Sequence, residues 1–442
     1  MLDTLESLLG SQVNLLRAVT GCHQAANKLG CLIRDAPVMA GKELGTTIAM
    51  FNLLSPVMVL LRDFSGLHLP LSIELNVTEK QAGSNSSATT RRSRPDTLII
   101  YGNSTLMLGE DKDVDLMPEA LDDLQRYASG GLGICQYASI PGLPAYAASG
   151  FQLQFCFIDK SGNLSSSGLL LDLSTPHGRL QAVCCTIQCY RLLHLLSSHL
   201  PRLEKRLMLW KEVKRGPNTT IMLIPGGAVK SIANFKSFAK AIGSSKDILQ
   251  EAYNVARLSA ADQKTLGEDP FLVYASNGPT FSSRSLLVTT TPLGYHRSIK
   301  TEKDARLLAM ACLKSAVVLH KAGIVHTDFR LSNTVWLDEE HCMVIDLEHC
   351  RASSAPLPEG CESLCEWDDG TLEVSKGRKF FTAASDIYQI GRMLDSVRKG
   401  TWSLQFSSFA TMLLSKKTHS EGVEVPLDGT RALQHEWITM NN

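Results

Sequence analysis

The chain has no excess charge of either sign, because its 44 Lys and Arg residues balance 44 Asp and Glu. Without a global basic field, nothing draws the whole chain onto nucleic acid or an anionic membrane, and any such contact has to be local. Twelve cysteines occur, but they are irregularly placed (Cys22, Cys31, Cys135, Cys156, Cys184, Cys185, Cys189 and onward) and lack the paired C-x-x-C units of a zinc site. They read as reduced core thiols. The opening MLDTLESLLG has Asp3 and Glu6 where a secretory leader needs basic residues and an unbroken apolar run, so it reads as an amphipathic helix. The most apolar stretch, Thr46 to Leu61, is shorter than the roughly 20 residues a membrane span needs, and Asn52 and Pro56 interrupt it. These absences predict an intracellular protein, in cytoplasm or nucleus, with no membrane partner. No internal repeat is evident.

What is present is ordinary for a globular chain: 44% hydrophobic and 20% charged residues, enough to bury a large core. The length predicts two or three domains, of which two are adopted. Residues 1 to 65 read as mainly helical from apolar positions three and four apart, such as Leu5, Leu8 and Leu9. Glu79 to Arg94 holds almost nothing that can be buried and is expected to be a flexible insertion with a basic end at Arg91, Arg92 and Arg94. From Pro95 strands dominate (PDTLIIYG, STLMLGEDK, FQLQFCFID, GLLLDLS), with a helix at Pro118 to Tyr127, until a long helix at Gly178 to Leu200 is stopped by Pro201. The expected domains are therefore 1–205 and 206–442. The second opens with short strands (LMLWKEV, TTIMLI, AVKSIA), a helix at Asp247 to Leu258 and two further strands (PFLVYAS, SLLVTT). After Pro292 it turns helical apart from a hairpin at Val325 to Asp346.

The most specific signal is Gly323 to Leu347, GIVHTDFRLSNTVWLDEEHCMVIDL. A hydroxyl that attacks a phosphoryl group needs a carboxylate to orient it and take its proton, and Asp328 has the right type for that. Asn333 and Asp346 offer the hard oxygen donors that Mg²⁺ prefers, and Arg330 supplies a cation for the transferring group. The run His326-Thr327-Asp328-Phe329-Arg330-Leu331-Ser332-Asn333, followed by Val344-Ile345-Asp346, resembles the catalytic and metal-binding loops of protein kinases. On that resemblance Ala228-Val229-Lys230 matches the V-A-I-K strand, Lys230 holds the α- and β-phosphates, and Glu251 in the helix DILQEAYNVARL is its ion-pair partner. Asp386, in SDIYQIG, would hold the catalytic-loop backbone, and Leu287 to Gly294 falls at the adenine-binding hinge. ATP and Mg²⁺ are the implied cofactors.

Several positions depart from the kinase pattern. No G-x-G-x-x-G precedes Lys230, only the turn Arg215-Gly216-Pro217-Asn218; Thr327 replaces the usual Arg; Leu347-Glu348 replaces Phe-Gly; and no A-P-E is visible. With few residues after Asp386, a trimmed second lobe and an altered acceptor face are expected.

A second constellation lies in Arg94 to Lys112. A hairpin turning at Gly102-Asn103-Ser104 puts Asp96 across from Glu110, with Lys112 two residues on and facing the same side. Two carboxylates and a lysine on one face can bind Mg²⁺ and activate water for phosphodiester hydrolysis, with Asp96 and Glu110 as metal ligands and Lys112 catalytic. Glu43, in the preceding helix, is a further carboxylate. This resembles the PD-(D/E)xK restriction-endonuclease-like core.

The order of the two constellations, with Asn218 to Phe235 lacking glycine-rich cover before Lys230, resembles Crinkler-type effectors and related fungal-type protein kinases. That resemblance, from about Glu43 to Gly391, implies an α+β chain of two domains: a restriction-endonuclease-like α/β core and a two-lobed protein-kinase-like fold. The expected function is ATP- and Mg²⁺-dependent phosphotransfer to Ser or Thr of a protein substrate, with nucleic acid as a partner of the N-terminal domain. The alternatives are a pseudokinase scaffold, a small-molecule kinase, and a metal-dependent nuclease with a regulatory kinase-like half.

Overall fold

A computed structural model describes residues 23–38, 43–65, 67–75, 94–215 and 218–282, and residues 284–440 apart from gaps at 354, 360, 362–366, 369, 376, 416 and 421–422. The expected first helix, the insertion at 79–94 up to residue 93, and Gly216-Pro217 lie outside the described residues. The chain is of mixed α+β class and divides into two compact units, Met1–Lys211 and Glu212–Asn442, six residues beyond the boundary read from Pro201.

The first unit is built on a six-stranded sheet whose strands lie side by side in chain order. They are β1 (Leu71–Leu75), β2 (Thr97–Tyr101), β3 (Ser104–Lys112), β4 (Gly142–Ser149), β5 (Gln152–Asp159) and β6 (Leu164–Asp172). All neighbours are antiparallel except β3 and β4, which run parallel because helix α3 (Met117–Tyr127) returns the chain between them. Before the sheet come α1 (His23–Arg34) and α2 (Glu43–Phe64), and after it α4 (Pro176–Ser197). Every residue of β4 and all but the last of β3 are buried, which requires cover on both faces of the sheet.

Two local features fix this arrangement. Thr175 caps α4 by accepting from Gly178 N, and Pro176 occupies the first turn, where its missing N–H costs nothing. A Cβ at Gly178 would lie 1.9 Å from the Asp172 carbonyl oxygen, so only glycine lets the helix start this close to the end of β6. Helix α2 has 22 residues, more than the stretch read from sequence, and by length and hydropathy alone it is long and apolar enough to cross a membrane. Its apolar side chains instead enter the core: Met50, Leu53, Leu54, Val57, Leu60 and Leu61 are all buried.

In the second unit, β7 (Glu212–Arg215), β8 (Thr219–Ile224) and β9 (Gly227–Ala233) form an antiparallel meander. Helices α5 (Phe235–Ile242) and α6 (Lys246–Thr265) follow, then β10 (Thr280–Phe281) and β11 (Ser285–Thr290), giving the order β10-β11-β9-β8-β7. Ile232, Phe235, Ala239, Leu249 and Leu286 form the core that binds sheet to helices. The segment PFLVYAS, expected as a strand, makes only isolated bridges, Leu272 to Val344 and Tyr274 to Thr291. LMLWKEV is likewise strand only from Glu212. Beyond the sheet lie α7 (Glu302–Lys321), α8 (Ala383–Val397) and α9 (Leu404–Ser415), with the hairpin β12 (Thr334–Trp336) and β13 (Cys342–Val344) between α7 and α8.

Candidate functional site

The loop His326 to Asn333 is held from beneath by Asp386 on α8, a fully buried carboxylate. Its Oδ2 accepts from His326 N at 2.9 Å and its Oδ1 from Thr327 N at 2.9 Å, while His320 Nε2 on α7 lies 2.9 Å from Oδ2. Thr327 sits at φ +69°, an unfavourable region for a β-branched residue. Such a conformation costs about 1–3 kcal/mol and persists only where its surroundings over-determine it. Here the Thr327 hydroxyl donates to the His349 carbonyl, and its own carbonyl accepts from Trp367 Nε1 and Gln389 Nε2. The strained turn carries the chain into Asp328, so the loop geometry is set by its neighbours.

Asp328 is 6% exposed. Its Oδ2 accepts from Asn333 Nδ2 at 2.7 Å and lies 3.1 Å from the Arg330 guanidinium. Asn333 Nδ2 also donates to the Asp328 carbonyl, which leaves the amide oxygen as the atom able to meet a cation. His326 Nε2 meets the Ile345 carbonyl at 3.0 Å, and Ile345 N donates to the Asn333 carbonyl at 2.9 Å. The loop is thereby stitched to the end of β13, beside Asp346. A cavity of about 440 Å³ opens next to Asp328, with Arg330, Trp367, Asp368, Gln389 and Arg392 among its walls.

Lys230, central on β9, reaches into the same site. Its Nζ lies 2.6 Å from Asp346 Oδ1 and 2.9 Å from Glu348 Oε2. Burial opposes its charge, but the two carboxylates outweigh that and hold the amine protonated, well above its ordinary range. Burial likewise works against the Asp346 carboxylate, yet the charge and hydrogen bond of Lys230 win and keep its pKa below the ordinary value. Asp346 adopts φ +72°, which bends the chain into the short turn Leu347–His349 and brings Glu348 back onto Lys230. Burial lowers the pKa of His349, leaving the ring neutral near neutral pH, and its Nδ1 makes no hydrogen bond among the described residues.

Glu251 is a correction. It stands exposed on α6, on the face turned away from the core, and Lys230 pairs with Asp346 and Glu348 instead. The contact from α6 is Tyr253, two residues on and buried, whose hydroxyl donates to Glu348 Oε1 at 2.8 Å. Glu348 was missed because it falls where a glycine was looked for. The signal is a second acid two residues after Asp346, following the apolar run Cys342 to Ile345, which has to find a partner where the chain is buried.

The carboxylates of the first unit also converge. The hairpin turns at Gly102-Asn103, with Tyr101 opposite Ser104, and a bulge between Ile99 and Ile100 shifts the register by one. That brings Thr97 opposite Gly109 and therefore Asp96 level with Glu110, the alignment expected from a regular hairpin, though reached by a tighter turn plus a bulge. Asp96 Oδ2 accepts from Asp111 N at 2.9 Å. Lys112 is ion-paired to Glu110 and, at 2.8 Å, to Asp123 of α3. Glu43, exposed at the start of α2, acts electrostatically on Asp96 and Asp111.

This group is short of positive charge. Burial, then the Asp96 charge, pushes Glu110 up to about 9, and the same two causes push Asp111 up to about 8. Burial, helped by Glu43, takes Asp96 to about 6. Glu110 Oε2 and Asp111 Oδ1 are buried without a close hydrogen-bond partner among the described residues, while the Tyr127 hydroxyl acts on Glu110 and those of Thr47 and Tyr146 on Asp111. Glu110 and Asp111, consecutive on β3, face opposite sides of the sheet, Glu110 beside Lys112 and Asp111 beside the Tyr146 hydroxyl. Asp111 and Asp123 were not foreseen; a carboxylate next to the lysine on the opposite strand face and a helix carboxylate facing it leave no periodic signature. A third grouping, Asp269, Asp338 and His341, is satisfied internally, with His341 Nδ1 2.7 Å from Asp338 and 3.4 Å from Asp269.

No model of a known protein family matches the chain, and no curated protein is similar to it in sequence.

Proposed function

We propose that Glu212–Asn442 is an ATP- and Mg²⁺-dependent phosphotransferase of the protein-kinase-like class, acting on a hydroxyl, with Ser or Thr of a protein as the default acceptor. The observation that carries this reading is the meeting of Lys230, Asp346, Asp328 and Asn333 around one loop anchored by Asp386. Two features of the sheet support it as well. Lys230 lies on the third strand of the unit, and helical chain, α5 then α6, follows before the next pair of strands, an order like that of kinases.

Lys230, a fixed and protonated amine, is suited to the α- and β-phosphates. Asp346 and the Asn333 amide oxygen would hold Mg²⁺, which screens the triphosphate charge and steadies the leaving group. Asp328 orients the acceptor hydroxyl and takes its proton as the oxygen attacks the γ-phosphorus. The bond to the bridging oxygen breaks and its electron pair leaves with ADP. Arg330, paired with Asp328 and half exposed, stands where it can meet the transferring group, and the cavity beside it gives the acceptor room.

The test is transfer of labelled γ-phosphate from Mg²⁺-ATP to a generic protein acceptor and to the chain itself. Asp328→Ala and Lys230→Met are each expected to lower transfer by about 100-fold or more. Equal labelling by all three proteins would sink the assignment.

One observation favours a second activity. The hairpin register that brings Asp96 level with Glu110, beside Lys112 and with both carboxylates held high by burial, supports a divalent-cation site in the first unit and a nuclease reading for it. Mg²⁺-dependent nicking of plasmid DNA that is lost in Glu110→Ala and Lys112→Ala would support that reading, and nicking that survives both would exclude it.

A further inference from the structure

Resting on the phosphotransfer reading, we infer that Glu348 is the residue that positions Lys230 for nucleotide, and that helix α6 enters this pair only through the neutral hydroxyl of Tyr253. Lys230 has two carboxylate partners of unequal standing. The Asp346 side chain is 27% exposed and open to the site, whereas that of Glu348 is 2% exposed. Both oxygens of Glu348 are spent, Oε2 on Lys230 and Oε1 on Tyr253. Asp346 is thus the carboxylate available to a cation, and Glu348 is the one that stays with the lysine when Asp346 turns to it.

Both partners of Lys230 come from a single short turn. The left-handed Asp346 reverses the chain so that residues two apart converge on one amine. In the kinase arrangement a helix carboxylate completes the pair, and movement of that helix switches the enzyme. Here the ion pair is complete within the segment that carries the metal-binding carboxylate, and Glu251 on the helix faces solvent. The lysine is therefore held wherever the turn is formed, without a charge from α6. A switch that works by withdrawing a helix glutamate has nothing to withdraw.

The experiment uses the full chain and reads KM for Mg²⁺-ATP and kcat separately in Glu348→Gln, Tyr253→Phe, Glu251→Ala, and the double variant Lys230→Met with Glu348→Gln. Glu348→Gln keeps the shape and one hydrogen bond but removes the charge. It is expected to raise KM at least tenfold with a smaller fall in kcat, and the double variant to be no worse than Lys230→Met alone. Tyr253→Phe, a milder change that leaves the fold intact, is expected to raise KM several-fold, and Glu251→Ala to stay within twofold of wild type. The inference is overturned if Glu348→Gln and Tyr253→Phe match wild type while Glu251→Ala loses activity, or if Glu348→Gln is more active, which would make Glu348 a mask over the lysine. Wild type that transfers no phosphate at all would remove the phosphotransfer reading itself and the inference with it, an outcome distinct from an active wild type indifferent to Glu348.

Discussion

Two buried acidic clusters, one in each unit, use the same residue types and differ in charge balance. In the cluster of the second unit Lys230 answers Asp346 and Glu348, Arg330 and Asn333 answer Asp328, and three donors answer Asp386. Asp346 stays ionised below its ordinary pKa as a result. In the first unit Lys112 and Arg126 answer Asp123, Lys112 also answers Glu110, and Asp96 and Asp111 meet only neutral donors among the described residues, so that Asp96, Glu110 and Asp111 are pushed into or above the physiological range. Carboxylates crowded in this way must take up protons or a cation. One site balances its charges with its own residues, and the other leaves three carboxylates held high by burial.

The strongest way to break this comparison is to ask whether the two sites fail independently. Asp328→Ala is expected to cost transfer about 100-fold or more, while Glu110→Gln leaves transfer unchanged; an equal loss in both would mean the clusters serve one reaction.

Next in size is the pH response of the metal-free protein. Glu110 rises from an ordinary 4.5 to about 9 on folding, so its contribution to stability is fully present below about pH 4.5 and is lost as pH climbs through about 9. With chelator present, thermal melting of the first unit should fall between pH 5 and 9, and Glu110→Gln should flatten that fall and raise the melting temperature at pH 8. A profile with the same slope in both proteins would remove Glu110 as its source.

A divalent cation should reverse the deficit. At a hundredfold excess over its Kd, Mg²⁺ or Mn²⁺ stabilises by about 2.7 kcal/mol, which for a unit of this size is a rise of roughly 5–10 °C. The rise should be larger at pH 8 than at pH 5 and absent in Glu110→Gln; an equal rise in that variant would place the cation elsewhere.

The smallest expected effect concerns packing. A Cβ at Gly109 would meet the ring of Tyr146 at 2.3 Å, so Gly109→Ala should cost about 1–3 kcal/mol. It should lower the melting temperature of the first unit and leave that of the second unchanged; melting like wild type would show that the ring is free to move.

Much of the second site was legible in the sequence because its parts lie on short local segments. His326 to Asn333 and Val344 to Asp346 carry residue types with few other uses, and SDIYQIG marked the carboxylate beneath them. What escapes the sequence is the long-range choice of partner: Glu251 rests on the resemblance to the kinase ion pair, and only the fold reveals that it faces solvent while Tyr253 faces the site. In the first unit the alignment of Asp96 with Glu110 was correct for the wrong local reason, since a two-residue turn and a bulge together give the register of a longer turn. Glu43 was placed near the cluster from chain order alone, and it reaches the cluster from the rim. The apolar run Thr46 to Leu61 marks only the middle of α2, which continues through Pro56 and extends to Glu43 and Phe64 at its polar ends.

The central claim, that the cleft of Lys230, Asp346, Asp328 and Asn333 is built for Mg²⁺-ATP, is tested most directly by calorimetric titration of the full chain with ATP, with and without Mg²⁺, beside Asp346→Asn. The account predicts saturable binding below millimolar ATP that requires Mg²⁺ and is lost or weakened at least tenfold in Asp346→Asn. No binding at millimolar Mg²⁺-ATP, or binding indifferent to both the metal and Asp346, would contradict it.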